Sequence, residues 1–322
     1  MSNLRFVDLH CDSVFEMYLQ NKGLDELGGH INLDKLRRGG AMVQCFAAFI
    51  ATHECAERNG VTLGAHELFN AMADIFEREM ARHSEYIAPV RCMADIENNI
   101  REGKISAMLT VEDAAPLDGK IERVDELYSR GVRMAALTWN YENSLAYPNS
   151  KIAAEHARGL KPFGIEAVSR MEELGMICDV SHLSEGGFWD VARRTKKPFV
   201  ASHSCVRAIC AHQRNLTDEQ LRAVAEHGGV VGVNFYSAFI NGREDYTTTA
   251  DIIAHMDYIR NKAGVETVAL GSDFDGIDCK LELGDCTGLN SLAEAMESRF
   301  TDDEIDLICS KNALRVFHDV IG

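Results

Sequence analysis

Short apolar runs rich in valine, isoleucine, leucine and alanine recur eight times along the chain, and stretches with apolar residues three or four positions apart separate them. Buried strands that alternate with amphipathic helices are typical of a parallel sheet covered by helices. Eight such units predict an α/β fold, a (β/α)8 TIM barrel. A doubly wound open sheet is the alternative, and eight evenly matched units favour the barrel. The runs lie at residues 5–10, 42–50, 106–112, 133–139, 176–182, 199–203, 228–236 and 267–276.

Helical periodicity is clearest in three of the intervening stretches. Residues 65–83 and 164–175 carry apolar side chains at helical spacing, and Thr217 and Gln220 form the pattern of a capping box at the start of a third helix. The long interval between the second and third runs predicts additional helix, and the residues after 277 predict helices that close the barrel. No proline- or serine-rich linker divides the chain, so we predict one domain over residues 1–322.

Composition excludes some classes of partner. The 50 acidic and 33 basic residues give a formal net charge of −17, which repels phosphate backbones and anionic lipids. We therefore expect no nucleic acid and no membrane as partner. Residues 1–10 lack the pattern of a secretion signal and no apolar run could span a bilayer, so we expect a cytoplasmic protein. The ten cysteines are scattered without a C-x-x-C pair and predict reduced, mostly buried thiols.

Residues that can bind a metal stand where five of the eight apolar runs end. In a barrel, the carboxyl ends of the strands form one rim, which is where active sites lie. Each residue alone is better explained as a hydrogen-bonded rim histidine or a helix N-cap. Their shared position at strand ends is harder to explain in that way and favours a joint role. These residues are His10, Asp12, Glu112, His182, His203, Asp273 and Asp275.

The number of these residues indicates two metals. One catalytic zinc takes three protein ligands and an open position, whereas two metals bridged by a carboxylate would use the whole set. Two divalent cations about 3.5–4 Å apart can share a hydroxide that attacks a peptide carbonyl. The departing amine needs a proton, and Asp273 is placed in the sequence to transfer it. We expect Asp275 to cap a helix or orient a neighbouring group.

Six short motifs occur in order at or near these strand ends. They are "DLHCDS" at 8–13, "VED" at 111–113, "DVSH" at 179–182, "ASHS" at 201–204, "RNLTD" at 214–218 and "GSDFDG" at 271–276. Together they resemble the renal (membrane) dipeptidase family of zinc metallopeptidases, and the similarity extends to "NALRVF" at 312–317. The resemblance implies a dipeptidase of the bacterial, cytosolic type on an amidohydrolase-like barrel, which is the metal-dependent hydrolase type of TIM barrel.

The resemblance also implies a role for each matching residue. His10 and Asp12 would bind one zinc ion, His182 and His203 would bind a second, and Glu112 would bridge both. The cofactors we expect are therefore two divalent metal ions, and Zn²⁺ is the ion that the resemblance implies.

Two further residues match the family's substrate chemistry. Asp273 would be the catalytic carboxylate and could also receive the substrate amino group. Arg214, which opens "RNLTD", would hold the substrate carboxylate, since a guanidinium can do so with two parallel hydrogen bonds. Without the resemblance, a surface arginine paired with Asp218 or Glu219 is an equal alternative.

The chain departs from the family at the end of the fourth run. Trp139 stands where the best-known animal members carry a histidine, and tryptophan has one N–H donor and cannot act as a base. We expect the metal site to survive, with a changed range of accepted side chains, and Asn140 or Asn143 to supply the missing hydrogen bond. Tyr236, at the end of the seventh run, either lines the substrate pocket or packs as a rim aromatic.

The sequence therefore predicts a zinc-dependent dipeptidase that acts on small dipeptides, including those with a D residue at the C-terminal position. Two alternatives stay open. One is a binuclear metal hydrolase acting on another amide, lactam or N-acyl amino acid, since the pocket walls choose the substrate. The other is a non-catalytic barrel that binds metal or peptide. The sequence also leaves a homodimer open.

Overall fold

The computed structural model describes residues 4–243 and 245–322 of the chain. Within these residues, eight parallel strands form a barrel, one strand for each apolar run. The strands are β1 (Phe6–Cys11), β2 (Ala41–Phe49), β3 (Ile105–Glu112), β4 (Met134–Ala136), β5 (Ile177–Asp179), β6 (Val200–Ser204), β7 (Val230–Val233) and β8 (Val268–Leu270).

Strand pairing closes the barrel. β2 pairs with both β1 and β3, and β8 pairs with both β1 and β7. β2 and β3 run side by side from the pair Val43 and Ser106 to the pair Phe49 and Glu112. Because all pairings in the barrel are parallel, the carboxyl ends of the strands meet at one rim. The predicted barrel is confirmed, and the doubly wound open sheet was the wrong alternative.

Helices lie between the strands as predicted. Residues 65–83 contain α4, and residues 164–175 fall within α8 and its terminal glycine. Thr217 caps α10 in the predicted reciprocal bond with Gln220. The helices are α1 (Ser13–Gln20), α2 (Leu33–Gly39), α3 (His53–Arg58), α4 (Ala65–Arg82), α5 (Met93–Arg101), α6 (Glu122–Ser129), α7 (Ala153–His156), α8 (Pro162–Leu174), α9 (Glu185–Arg194), α10 (Asp218–Glu226), α11 (Ser237–Ile240), α12 (Thr249–Ala263), α13 (Leu289–Met296), α14 (Asp302–Asp306) and α15 (Asn312–Ile321).

The inside of the barrel is filled by a hydrophobic cluster with members from every barrel strand. Val316 and Phe317 of α15 are fully buried in this cluster. The same helix binds the segments that precede two strands, because Arg315 donates to the carbonyl of Gly228 and Lys197 donates to that of Val320. α15 therefore packs against the amino end of the barrel, opposite the rim.

Some details differ from the run pattern. A short strand, Ile87–Pro89, lies between α4 and α5 in the sequence and pairs with β3. Two other short strands, Tyr246–Thr247 and Lys280–Leu281, pair with each other. β7 ends at Val233 although its apolar run continues, because the Asn234 side chain accepts the backbone N–H of Tyr236 and turns the chain.

Two predictions about the whole chain can be compared with the fold. All ten cysteines are free thiols and most are buried, which confirms that prediction. Among the described residues, no helix combines the length and the hydropathy needed to cross a bilayer.

Candidate metal centre

The residues predicted from the strand ends lie at the carboxyl rim. His10 is in β1, Glu112 ends β3, and His203 is in β6. His182 and Asp273 each follow the end of their strand, β5 or β8, by three residues. Each of these side chains is almost completely buried. The structure thus brings together residues that are up to 263 positions apart in the sequence.

Glu112 lies between two groups of ligands. Its Oε2 atom is 3.2 Å from Nε2 of His10. Its Oε1 atom is 2.9 Å from Nε2 of His182 and 3.3 Å from Nε2 of His203. Those two histidine nitrogens are 3.0 Å apart. One carboxylate oxygen therefore faces each group, which is the arrangement that suits a carboxylate shared by two metal ions.

The group on the other side of Glu112 is more acidic. Nε2 of His10 is 3.6 Å from Oδ2 of Asp12 and 3.8 Å from Oδ1 of Asp273. The imidazoles of His10 and His203 stack with their centroids 3.9 Å apart, so the two groups are adjacent. In two sets of three residues, the atoms that could bind a metal ion all lie within 4.8 Å of one another. The sets are His10, Glu112 and His203, and His10, Asp12 and Asp273.

The two groups also differ in charge. Burial disfavours a charge on His10, yet Glu112 and Asp12 raise the pKa of His10 well above its ordinary value. Burial and the charge of Glu112 raise the pKa of Asp12 to about 8. Burial lowers the pKa of His182 to about 4 and holds the pKa of His203 well below its ordinary value. Neutral imidazoles therefore stand on one side, and crowded carboxylates on the other.

Two buried atoms at the acidic side make no hydrogen bond within the described residues: Nε2 of His10 and Oδ1 of Asp12. A buried polar atom without a partner costs about 1–3 kcal/mol. A cation would satisfy both atoms and would relieve the repulsion between Asp12 and Glu112. Imidazole nitrogens and carboxylate oxygens are also the donors that zinc accepts in catalytic sites. The residues therefore fit divalent metal ions.

Tight turns place the side chains that follow β5 and β8. His182 and Asp273 have left-handed backbone conformations, with φ of 66° and 65°. Such φ values are uncommon outside glycine, and they cluster at functional sites. Gly276 then passes so close that a Cβ atom there would lie 2.0 Å from Oδ2 of Asp12 and 2.6 Å from Oδ1 of Asp273. Only glycine allows this approach.

Asp275 points away from this group. Its carboxylate accepts the hydroxyl of Ser13 at 2.6 Å and the backbone N–H of His30 at 2.5 Å. Its own backbone N–H donates to Nδ1 of His30 at 3.0 Å. Asp275 thus ties the loop after β8 to α1 and to the segment before α2.

The Nδ1 atoms of the two neutral histidines face different partners. Nδ1 of His203 is 2.8 Å from Oγ of Ser202, and that hydroxyl donates to Oδ2 of Asp179. Nδ1 of His182 is 3.1 Å from Oδ1 of Asn140. Ser202 and Asp179 are buried, whereas Asn140 is exposed at the rim. One histidine is held from inside the barrel and the other from its mouth.

The two predicted substrate groups have contrasting surroundings. Asn234 donates to Oδ2 of Asp273 at 2.8 Å, which leaves Oδ1 turned toward His10. Arg214 is buried and donates to the carbonyl of His203 at 3.1 Å. It therefore is not the surface arginine that the sequence left as an alternative. Its guanidinium lies 5.3 Å from the ring centroid of Phe239.

A cavity of about 300 Å³ opens onto the candidate metal-binding residues. Trp139, Asn140 and Tyr236 all line it, as do Asp273 and the aromatic residues Phe15, Phe49 and Phe239. Trp139 packs edge to face on Phe49, with ring centroids 4.9 Å apart. Asn143 is engaged elsewhere, because it donates to Asp113 and to the carbonyl of Leu137, both at 2.7 Å. Of the two asparagines considered for the pocket, Asn140 is the one that lies there.

Sequence reasoning missed the residues that hold the site in place: Asp179, Ser202 and Asn234. A signal for them existed, because Asp179 and Ser202 are polar residues inside apolar runs and within the motifs "DVSH" and "ASHS". A buried polar residue in a strand needs a partner, and the partner is here another site residue.

The fold and this rim define a TIM barrel with a candidate metal centre at the carboxyl ends of its strands. A family model for membrane dipeptidases (peptidase family M19) matches residues 1–321. The chain belongs to the membrane dipeptidase family, and its enzyme class is that of the metallodipeptidases. The family implies a divalent metal, and the clusters around Glu112 are candidate sites for it.

Individual relatives agree with the family match. The chain is 41% identical over 238 residues to an uncharacterised Klebsiella pneumoniae protein from the pqqA 5' region, which covers 70% of this chain and 86% of that protein. It is 34% identical to an uncharacterised dipeptidase of Schizosaccharomyces pombe, over 85% of this chain and 69% of the relative. A solved metallopeptidase of Rhodobacter sphaeroides, bound to a phosphinate mimic of the dipeptide L-Ala-D-Ala, superposes with a TM-score of 0.88 at 25% identity, over 98% of this chain and 99% of that chain.

Proposed function

We propose that this protein hydrolyses the peptide bond of dipeptides with two zinc ions held at the barrel rim. His10 and Asp12 would hold one ion, His182 and His203 would hold the other, and Glu112 would serve both. The observation that carries this proposal is that the two carboxylate oxygens of Glu112 face different histidines. Oε2 faces His10, and Oε1 faces His182 and His203. When bound, zinc would supply an activated water and polarise the peptide carbonyl.

Asp273 is the group that moves the proton. Its Oδ1 atom faces His10 and the cavity, while Asn234 holds Oδ2. Burial raises the pKa of Asp273 above its ordinary value, which makes its carboxylate a better proton acceptor. Asp273 accepts the proton of the attacking water at Oδ1 and then donates it to the departing amine.

Arg214 binds the carboxylate at the end of the substrate. Its Nε atom makes no hydrogen bond within the described residues although it is buried. An arginine with an N–H left over, 5.3 Å from the ring centroid of Phe239 in the cavity wall, suits a charged ligand, because it can bind a carboxylate through two parallel bonds. Such a contact would select substrates that end one residue beyond the scissile bond.

Trp139, Asn140 and Tyr236 form part of the wall against which the substrate side chains pack. The dipeptide mimic bound by the Rhodobacter sphaeroides relative carries D-alanine at its C-terminal position. We therefore include dipeptides with a C-terminal D residue among the substrates.

The test is a hydrolysis assay on the zinc-loaded protein. L-Ala-D-Ala and L-Ala-L-Ala should be cleaved, while L-Ala-L-Ala-L-Ala and N-acetylalanine should react far more slowly. Faster cleavage of N-acetylalanine than of both dipeptides would favour an acylamino acid hydrolase. No turnover of any of these substrates with two bound metals would favour a binding protein.

A further inference from the structure

Asp179, Ser202 and His203 form a buried chain of hydrogen bonds that leads to the candidate metal centre. Asp179 comes two residues after Ile177, and Ser202 comes two residues after Val200. Ile177 and Val200 belong to the hydrophobic cluster inside the barrel, so Asp179 and Ser202 lie on the same inner side of their strands. All three polar residues are at most 2% exposed. Water is therefore not available to exchange for any of these bonds.

The donors and acceptors in this chain can be assigned one by one. Asp179 receives the backbone N–H groups of Ser181 and Ser202 at Oδ1, each at 2.9 Å, and the Ser202 hydroxyl at Oδ2. A carboxylate can only accept, so the single hydroxyl proton of Ser202 points to Asp179. The Ser202 oxygen has no second proton, so it can only accept a hydrogen bond from Nδ1 of His203, which is 2.8 Å away. Nδ1 must therefore carry the proton, and Nε2 keeps its lone pair.

That lone pair points into a place where other acceptors converge. Nε2 of His203 is 3.3 Å from Oε1 of Glu112 and 3.0 Å from Nε2 of His182. His182 is in the same state, because its Nδ1 faces Oδ1 of Asn140, which can only accept. Three acceptors thus meet with no proton to share.

The geometry points to Asp179 and Ser202 as positioning residues that hold His203 in the tautomer with Nδ1 protonated, so that its Nε2 is ready for a metal ion before one arrives. This inference rests on the metal centre proposed above. The partner of a metal-binding histidine ordinarily changes metal affinity by 10–100-fold when it is replaced.

Asp179→Asn is the sharpest test, because it replaces one oxygen by an amide nitrogen and reverses the direction of the hydrogen bonds from residue 179 to His203. The carboxamide oxygen can accept the two backbone N–H groups, which turns the amide NH₂ toward the Ser202 hydroxyl. Ser202 then accepts from the amide and can donate its own proton to Nδ1 of His203 at 2.8 Å, a closer acceptor than Oγ of Ser181 at 3.3 Å. The imidazole then carries its proton on Nε2, where Glu112 can accept it.

The measurement is ¹⁵N NMR of histidine-labelled, metal-free protein, with the His203 signal identified by its loss in His203→Gln. We expect the Nδ1-protonated tautomer in the wild type and the Nε2-protonated tautomer in Asp179→Asn. Titration with Zn²⁺ against a chromophoric chelator should show about 10–100-fold weaker binding of one equivalent in the variant. If His203 keeps its tautomer and zinc binds as in the wild type, the inference is wrong.

Asp8→Asn is the matched control. Asp8 is as buried as Asp179 and binds a serine in the same way, accepting the backbone N–H and hydroxyl of Ser272 at 2.9 and 2.6 Å. Ser272 precedes Asp273 rather than a histidine, so this variant should leave the tautomer of His203 unchanged. An equal change of tautomer in both variants would indicate a general loss of packing and would overturn the inference.

Ser202→Ala and Ser202→Thr provide a second route if Asp179→Asn does not fold. Alanine removes the acceptor and should give a mixture of tautomers, and threonine, which keeps the hydroxyl, should restore the wild-type signal. An unchanged signal in Ser202→Ala would contradict the inference. The tautomer is read without metal or turnover, so a wild type that keeps the Nδ1 proton but binds no zinc would refute the proposed function alone.

Discussion

The two sides of Glu112 offer a metal ion different surroundings. On one side, His182 and His203 are neutral imidazoles whose Nδ1 atoms have fixed acceptors. On the other side, His10 stands among the carboxylates of Asp12, Glu112 and Asp273. The first side is set by hydrogen bonds that persist without metal, whereas the second carries negative charge that only protons or a cation can balance.

This difference predicts how each side responds to change. The histidine side should depend on its hydrogen-bond partners, and the carboxylate side should depend on pH and on metal. Glu112 belongs to both sides, so its replacement should have the largest effect of any single substitution in the site.

Glu112→Gln should remove the connection between the two sides. A neutral carboxamide cannot balance charge shared by two cations, so both metals should bind more weakly. We expect kcat/KM to fall by about 10⁴ or more, since each metal contributes several kcal/mol. Metal analysis of the wild type should give close to two equivalents and of the variant markedly fewer.

Glu16→Gln is the control for that experiment, because Glu16 lines the same cavity and its carboxylate binds Gln20 of its own helix. Its metal content should equal that of the wild type. A wild type that is fully active with one equivalent of zinc, and gains nothing from a second, would contradict the two-metal proposal.

Asp273→Asn should separate proton transfer from metal binding on the carboxylate side. The variant keeps the shape of the side chain but cannot carry a proton, so kcat should fall by about 10²–10⁴ while most of the metal stays bound. Asp275→Asn is the comparison, since that carboxylate binds Ser13 and His30 instead. It should lower thermal stability more than kcat. An almost unchanged kcat in Asp273→Asn would assign Asp273 a structural role.

Continuous apolar runs made the barrel predictable from the sequence. Seven of the eight runs end within three residues of the end of their strand, so polar residues near the run ends could be placed at the rim without knowledge of strand register. Glu112 illustrates this, because it is both the last residue of its run and the last residue of β3.

The supporting residues were not predictable in the same way. The bond between Asp179 and Ser202 depends on how β5 and β6 align, which the structure fixes by pairing Asp179 with Val200. The bond between Asn234 and Asp273 depends on two turns with independent conformations. A one-residue change in register moves every side chain to the other face of a strand, and an apolar run alone does not determine register.

Arg214→Ala should alter substrate selection while leaving both sides of the metal centre intact. If Arg214 holds the terminal carboxylate, free dipeptides should lose about 2–4 kcal/mol of transition-state stabilisation, and dipeptide amides far less. The ratio of kcat/KM for acid and amide should therefore collapse. Arg207→Ala is the control from the same loop, because Arg207 pairs with Glu185, and it should keep the wild-type ratio. Equal losses for acid and amide in Arg214→Ala would indicate a role in the fold.

The smallest expected effect is a fall in stability with rising pH that is larger in the metal-free protein than in the zinc-bound protein. The pKa of Asp12 is about 8 in the folded protein because of burial and Glu112, and about 3.9 in an unfolded chain. Folding therefore takes up a proton between these values, and stability falls as pH rises. His10, whose pKa is raised, acts in the same direction, while His182 and His203, whose pKa values are lowered, oppose it below about 6.5.

Above about pH 6.5 the opposition ends, and Asp12 alone should lower the free energy of unfolding of the metal-free protein by up to about 2 kcal/mol toward pH 8. Urea denaturation at several pH values measures this. Zinc should reduce the decline, because it replaces the proton as the partner of Asp12, and Asp12→Asn should reduce it without metal. If the stability of the metal-free protein is constant or rises over this range, the carboxylates of Asp12 and Glu112 do not repel each other as inferred.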